Sequence, residues 1–395
     1  MKVLISGASV AGPVLAYWLS RNGFDVTVVE RAPALRKTGG HAVDLFRPAM
    51  EISERMGVLD HIKARATGTT ALTLNRPPST RWTHIDYVKL IATMSDRHVE
   101  IMRDDLSQAY YDAVHDDAEF RFGDQITSIT DAGEVTFEHG ASERYDLVIG
   151  ADGLHSGVRQ LTFGDQAQER FLGGYLAVVS VPKTLAPKGE MSGYLAPRKI
   201  AMVYTADHLE DARAVFMFRT DRPLDYHYRD IAAQQRHLQT AFAGLVPEVD
   251  HWLRELDRTP AFYFDAITQL EMSTWSRGRV TLVGDAGYCP GPGVGGSTSL
   301  AVYGAYVLAH ALTAHRGDHT AAFSAYERTM AAPVAGSRTM ARVNAKTIVP
   351  GSDWGARLLL GVGRTVSVLP RSLTGRLARL NTKGIRLYDT MPLPD

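Results

Sequence analysis

The sequence predicts an α/β fold: a parallel sheet wrapped by helices, interrupted by an inserted β-sheet block and followed by a helical C-terminus. Three observations predict it. A buried strand, a glycine turn and an amphipathic helix open the chain. Short apolar strands recur later, one entering Asp152-Gly153 and one leading into Gly284-Asp285. A run of antiparallel-type strands separates those two recurrences.

The elements follow in order. Lys2 to Ser6 carries an apolar run, Val3-Leu4-Ile5, as a strand buried on both faces should. The start Met1-Lys2 also resembles a short signal peptide, but the segments that follow make sense only with this strand retained. Pro13 to Arg21 reads as a helix with Val14, Leu15, Trp18 and Leu19 on one face, and Gly23 ends it. Val26 to Val29 is a second strand, closed by Glu30. Met50 to Ala64 reads as a helix, Thr69 to Leu74 as a strand, Leu106 to Val114 as a helix and Asp146 to Gly150 as a strand. Tyr175–Val181, Lys199–Thr205 and Arg213–Arg219 read as an antiparallel sheet, with a helix over Asp230–Phe242. Val280 to Val283 is again a buried strand. Beyond Ala301 the pattern is helical, divided by Pro333, Pro350 and Pro370. These textures place a discontinuous nucleotide domain at residues 1–70, 100–170 and 270–345. The inserted block takes 71–99 and 171–269, and 346–395 forms a C-terminal helical segment.

Composition narrows the partners. Lys+Arg and Asp+Glu both number 43, so no bulk charge steers the chain to nucleic acid or an anionic membrane. The single cysteine, Cys289, excludes an intramolecular disulfide and a cysteine-rich metal site, in keeping with a cytoplasmic protein. Leu358-Leu359-Leu360 is apolar but closely bracketed by Arg357 and Arg364, and no run reaches the ~20 residues a membrane span takes. A monomer and a homodimer both remain open.

The opening turn, Gly7-Ala8-Ser9-Val10-Ala11-Gly12, carries the first chemistry. In a dinucleotide fingerprint the glycines permit the tight turn, admit the pyrophosphate to the backbone and let helix and strand pack closely. Ser9 replaces the middle glycine, and its hydroxyl can donate to a phosphate oxygen. The helix behind the turn presents its N–H groups to the anion. Glu30, about 20 residues on, suits ribose hydroxyls, hence FAD or NAD rather than NADP at this site.

Three motifs spread over most of the first 305 residues carry a family resemblance. They are the glycine turn with Glu30-Arg31; Gly150-Ala151-Asp152-Gly153-Leu154-His155-Ser156-Gly157-Val158-Arg159; and Gly284-Asp285-Ala286 with Pro292 and Gly295. The sequence resembles the single-component flavin-dependent aromatic hydroxylases typified by para-hydroxybenzoate hydroxylase. Within them it is similar to the tetracycline-inactivating monooxygenases. The resemblance implies a Rossmann-like FAD-binding fold and a substrate site between flavin and inserted sheet. It also implies FAD reduction by a transient NADPH or NADH, and oxygen insertion from O₂ through a flavin C4a-hydroperoxide into an aromatic or polyketide-like molecule such as a tetracycline. It assigns Asp285 to the ribityl chain, Arg103 to the pyrophosphate or adenosine end, Asp44 to the flavin's vicinity, and Asp152 to flavin and nicotinamide interactions. Arg36 and Arg159 are implied as NADPH contacts. Tyr194, Met202, Tyr204, Phe216 and Phe218 are candidate substrate-lining residues. Because the cofactor carries the chemistry, no catalytic acid–base dyad is required.

The third motif departs from the family pattern at Gly287, Tyr288, Ser297 and Ser299, so only Asp285, Pro292 and Gly295 are carried over. A halogenase is disfavoured because Trp18, Trp82, Trp252, Trp275 and Trp354 form no Trp-x-Trp pair. A reductase or oxidase without oxygen insertion, and a non-enzymatic flavin-bearing binder, stay as alternatives.

Overall fold

In the computed structural model, residues 1–35, 40–259, 261–294, 296–370 and 387–394 are described. The chain opens with β1 (Lys2–Ser6), α1 (Ala11–Arg21), β2 (Asp25–Glu30), β3 (Ala42–Phe46), α2 (Arg47–Arg55) and α3 (Leu59–Ala64). It continues through β4 (Ala71–Asn75), β5 (Trp82–Asp86), α4 (Tyr87–Ala92), β6 (His98–Met102), α5 (Arg103–Asp112) and β7 (Glu119–Phe122). A small meander, β8 (Ile126–Ile129), β9 (Glu134–Phe137) and β10 (Glu143–Arg144), precedes β11 (Leu147–Gly150) and α6 (Gly157–Phe163). Then come β12 (Gln168–Pro182), β13 (Glu190–Ala196), β14 (Lys199–Tyr204), β15 (Asp211–Arg219), α7 (Ile231–Phe242), α8 (Pro247–Arg254) and β16 (Phe262–Glu271). The last elements are β17 (Ser276–Arg277), β18 (Val280–Leu282), α9 (Asp285–Tyr288), α10 (Ser297–Ala314), α11 (His319–Thr347) and α12 (Asp353–Val368).

Two large sheets result. The first has the order β17-β18-β11-β1-β2-β7, and every pair but β17/β18 is parallel. Its inner strands β1, β2, β11 and β18 are buried on both faces along most of their length, which explains their largely apolar sequences. The C-terminal ends of β1, β2, β11 and β18 lie side by side, so Gly7, Glu30, Asp152 and Asp285 gather at one edge although 278 positions separate the first from the last. The second sheet, β16-β12-β15-β14-β13-β4-β5, is antiparallel except for the β13/β4 pair. A two-stranded pair, β3 with β6, stands apart from both.

Two local expectations needed correction. Residues 50–64 do not form one helix: α2 and α3 are separate, because Gly57 takes a left-handed φ of 77° that ends the first. Pro333 does not divide the C-terminal region but sits inside the continuous α11. No helix among the described residues is long and apolar enough to cross a membrane.

Candidate functional site: a cleft between two sheets

The opening turn is built for close approach. Gly7 has a φ of 109°, and a Cβ there would lie 2.5 Å from the Ala151 carbonyl oxygen. A Cβ on Gly12 would lie 1.9 Å from the Gly7 oxygen, so any side chain would push α1 off the turn. Glu30 accepts the Ala8 N–H at 3.0 Å and the Ala32 N–H at 2.9 Å, pinning the turn to the end of β2. Arg31 beside it is exposed. No side chain among the described residues caps α1, leaving its first N–H groups for an external acceptor. Arg103, at the start of α5, donates through Nη2 to Ser9 Oγ at 3.2 Å, while Ser107 Oγ lies 3.3 Å from the same oxygen. The substituted serine is therefore the point where turn and arginine meet.

The second motif is consumed internally. Asp152 accepts from Ser156 Oγ at 2.5 Å, from the Val158 N–H at 3.1 Å and from Ser6 Oγ at 3.4 Å. Burial lifts its carboxyl above the ordinary range, and the Ser156 bond opposes that rise. Arg159 is only 7% exposed. Its guanidinium donates to the Ala286 carbonyl at 3.0 Å and to the Leu154 carbonyl at 2.6 Å. This corrects its expected role: facing inward with both carbonyls engaged, Arg159 ties the second motif to the third and does not present itself to a nicotinamide phosphate.

Asp285 differs. Burial raises its carboxyl, and the charge of Arg103 and the neighbouring Cys289 thiol, which donates to the Thr268 carbonyl at 3.8 Å, oppose the rise. Cys289 is fully buried, and burial holds its thiol protonated. Asp285, His41 and Tyr263, like Asp152, are surrounded by protein yet keep some accessible surface. Burial and the charge on Arg103 lower the His41 pKa to about 4, so its imidazole is neutral near pH 7. The His41 and Tyr263 rings lie 5.4 Å apart. Pro292 is buried in the loop leading to α10.

The β3/β6 pair forms another wall. Asp44 and Glu100 stand directly opposite each other, so both side chains leave the same face. Asp44 lies 2.6 Å from His98 Nε2, and its carbonyl accepts from Ser299 Oγ at 3.0 Å. Glu100 accepts from Thr67 Oγ1, and from the Tyr87 hydroxyl at 3.0 Å; burial raises its carboxyl, with Asp44 adding to the rise. His41, Tyr263 and Glu100 escaped the sequence reading because the contacts that define them are long-range. The only available signal for His41 was its place between Gly40 and Asp44.

The second sheet supplies the remaining wall, and its register decides which residues belong there. Met202 pairs with Val215 and Ala201 with Phe216. Met202 and Val215 pack in a cluster with Leu172, Tyr263, Val294 and residues of α11 and α12. Tyr204, on the same face, accepts the Ala42 N–H at 2.7 Å. Phe216, Phe218 and Tyr194 point the other way, into the core under α7 and α8 with Phe242 and Trp252. They are corrected out of the lining set, because a one-residue offset along a strand reverses the face. Arg36 and Gly295 lie outside the described residues.

A glycine turn, an uncapped helix end and acids at the ends of neighbouring parallel strands define a dinucleotide-binding flavoprotein scaffold. Residues 1–334 match the model of the FAD binding domain family, and the chain belongs to that family. A flavin-dependent monooxygenase of Legionella longbeachae serogroup 1 (strain NSW150) is 36% identical over 332 residues, covering 82% of this chain and 84% of the relative. Among solved structures, the tetracycline destructase Tet(55) is 33% identical with a TM-score of 0.80, over 93% of this chain and 97% of its own. Tetracycline destructase Tet(51) is 30% identical with a TM-score of 0.83, over 100% and 99%. The protein is an FAD-dependent monooxygenase by family and by likeness.

Proposed function

We propose that the protein transfers one atom of O₂ to an aromatic or polyketide-like small molecule, a tetracycline among the candidates, with NADPH or NADH as transient reductant. The balance is substrate–H plus O₂, NAD(P)H and a proton giving substrate–OH, water and NAD(P)⁺. Bound FAD would supply the electron relay and the site of O₂ activation.

The chain's own residues fit that cofactor. Gly7 and Gly12 clear the backbone for a pyrophosphate, α1 offers its N-terminal N–H groups, and Arg103 with Ser9 stands beside them. Glu30 retains lone pairs for ribose hydroxyls, and Asp285 is the buried acid for a ribityl hydroxyl. Met202, Tyr204 and Val215 would contact the substrate, with neutral His41 available to hold or pass a proton at its ring nitrogen. The apolar inner sheet face would exclude water there. We also read the β4–β5 and β12–β16 segments as the substrate-binding part and the first sheet as the cofactor part.

The observation that carries this reading is that Tyr263 connects the two parts, feeling the charge of Asp285 and packing in the same cluster as Met202. The test is NADPH oxidation by the purified FAD-loaded protein against phenols and tetracyclines under ¹⁸O₂. A product that gains one ¹⁸O atom is expected. Stimulated NADPH oxidation that yields only hydrogen peroxide would leave the chain an oxidase.

A further inference from the structure

Helix α12 is apolar on two sides. Its inner side, with Ala356, Leu359 and Leu360, closes the cluster that contains Met202 and Val215. It is latched at its far end, where the Asp86 N–H donates to Ser367 Oγ at 2.8 Å and Lys89 Nζ to the Ser367 carbonyl at 2.6 Å. Its outer side exposes Trp354 by 72%, Leu358 by 51%, Val362 by 50% and Val368 by 80%. Successive helical residues turn by about 100°, so positions 354, 358 and 362 form one stripe, and 357 and 364 flank it together on one side. Those flanking residues are Arg357 and Arg364, both exposed. From Trp354 to Tyr388 the sequence has seven Arg and Lys and no Asp or Glu.

A helix that faced only water would lose free energy by leaving this stripe exposed. Tryptophan and leucine beside arginine match the bilayer interface, where the rings and aliphatic chains enter the acyl boundary and the guanidinium groups meet phosphates. The helix has 16 residues, short of the ~20 needed to span, so it would lie on the surface. A second copy of the chain fits less well. A two-fold contact along the stripe would bring like arginines together. The acid next to the stripe, Asp353, is engaged by Arg76 at 3.1 Å and sits 3.6 Å from Arg357.

We propose that the outer face of α12 seats this protein on an anionic lipid bilayer. The contact stands apart from the oxygen chemistry, and losing one leaves the other intact.

Vesicle flotation of the FAD-loaded protein tests it, with phosphatidylcholine alone or mixed with phosphatidylglycerol. Binding to the anionic vesicles is expected to exceed binding to the neutral ones by more than about tenfold. Added salt should reverse it. Trp354→Ser with Leu358→Ser, and separately Arg357→Glu with Arg364→Glu, should each abolish flotation while flavin absorbance and the thermal midpoint stay unchanged. Absence of flotation on either vesicle, or equal flotation that survives the charge reversal, overturns the proposal. So does a dimer in sedimentation velocity that Trp354→Ser dissociates, which would give the face to a second copy.

Discussion

Asp152 and Asp285 follow neighbouring parallel strands, β11 and β18, and burial raises the carboxyl of both. They differ in what surrounds them. Three donors from the protein take up Asp152, and the adjoining Arg159 spends its guanidinium on two backbone carbonyls. Asp285 has only the neighbouring Cys289 thiol and the more distant charge of Arg103 to offset its burial. One acid holds the scaffold, and on the proposal above the other is kept for a ligand. The second sheet repeats this contrast on a larger scale. One face is filled by Phe216, Phe218 and Tyr194 under α7 and α8, and the other carries Met202, which we propose as substrate-lining, with Tyr204 bonded to the Ala42 N–H.

The largest expected effect lies in the sheet. Phe216→Ala should cost about 3–5 kcal/mol of stability in urea unfolding and leave the KM for substrate unchanged in whatever protein folds. Met202→Ala should cost under about 2 kcal/mol and change substrate preference. The reverse pattern would exchange the roles of the two faces. Next in size, Asp152→Ala should lower stability by about 2–3 kcal/mol, because it strands the Ser156 hydroxyl and the Val158 N–H at the start of α6. Arg159→Ala should cost about 2 kcal/mol by orphaning the Ala286 and Leu154 carbonyls, with the KM for NADPH held. A raised KM at full stability would restore the nicotinamide role.

The smallest effect concerns pH. The folded-state pKa of His41 is about 4 against an ordinary 6.5. Between those values the folded protein binds fewer protons than the unfolded chain, so this residue makes stability fall as pH drops from 6.5 toward 4. The raised acids Asp152, Asp285 and Glu100 act in the opposite sense. His41→Gln should therefore flatten the acid-side decline in thermal midpoint measured from pH 6.5 to 4. An unchanged slope would mean that His41 is solvated as an ordinary histidine.

The strand, turn and helix at the chain's start were legible because everything that specifies them is local: apolar runs, Gly7, Gly12 and the acid at Glu30. The Gly284-Asp285 turn was legible for the same reason. What the sequence withheld depends on distant partners. Alternation along a strand puts Phe216 on the same face as Phe218 and Met202 on the same face as Tyr204, but it does not say which side of a sheet faces inward. The β14/β15 register decides that. Arg159 looked available because its acceptors, the carbonyls of Leu154 and Ala286, are backbone atoms to which a motif is blind. The β3/β6 pair went unread because its strands are short and more than 50 positions apart.

The most direct measurement is a fluorescence titration of apo-protein with FAD, comparing wild type with Asp285→Asn. Wild type should bind one FAD. The variant should bind about 10- to 100-fold more weakly, with an apo thermal midpoint no lower than that of wild type, since a buried carboxylate kept for a ligand adds nothing to the empty fold. Undiminished FAD affinity in Asp285→Asn, or weakened affinity that merely follows a collapse in stability, would contradict the account.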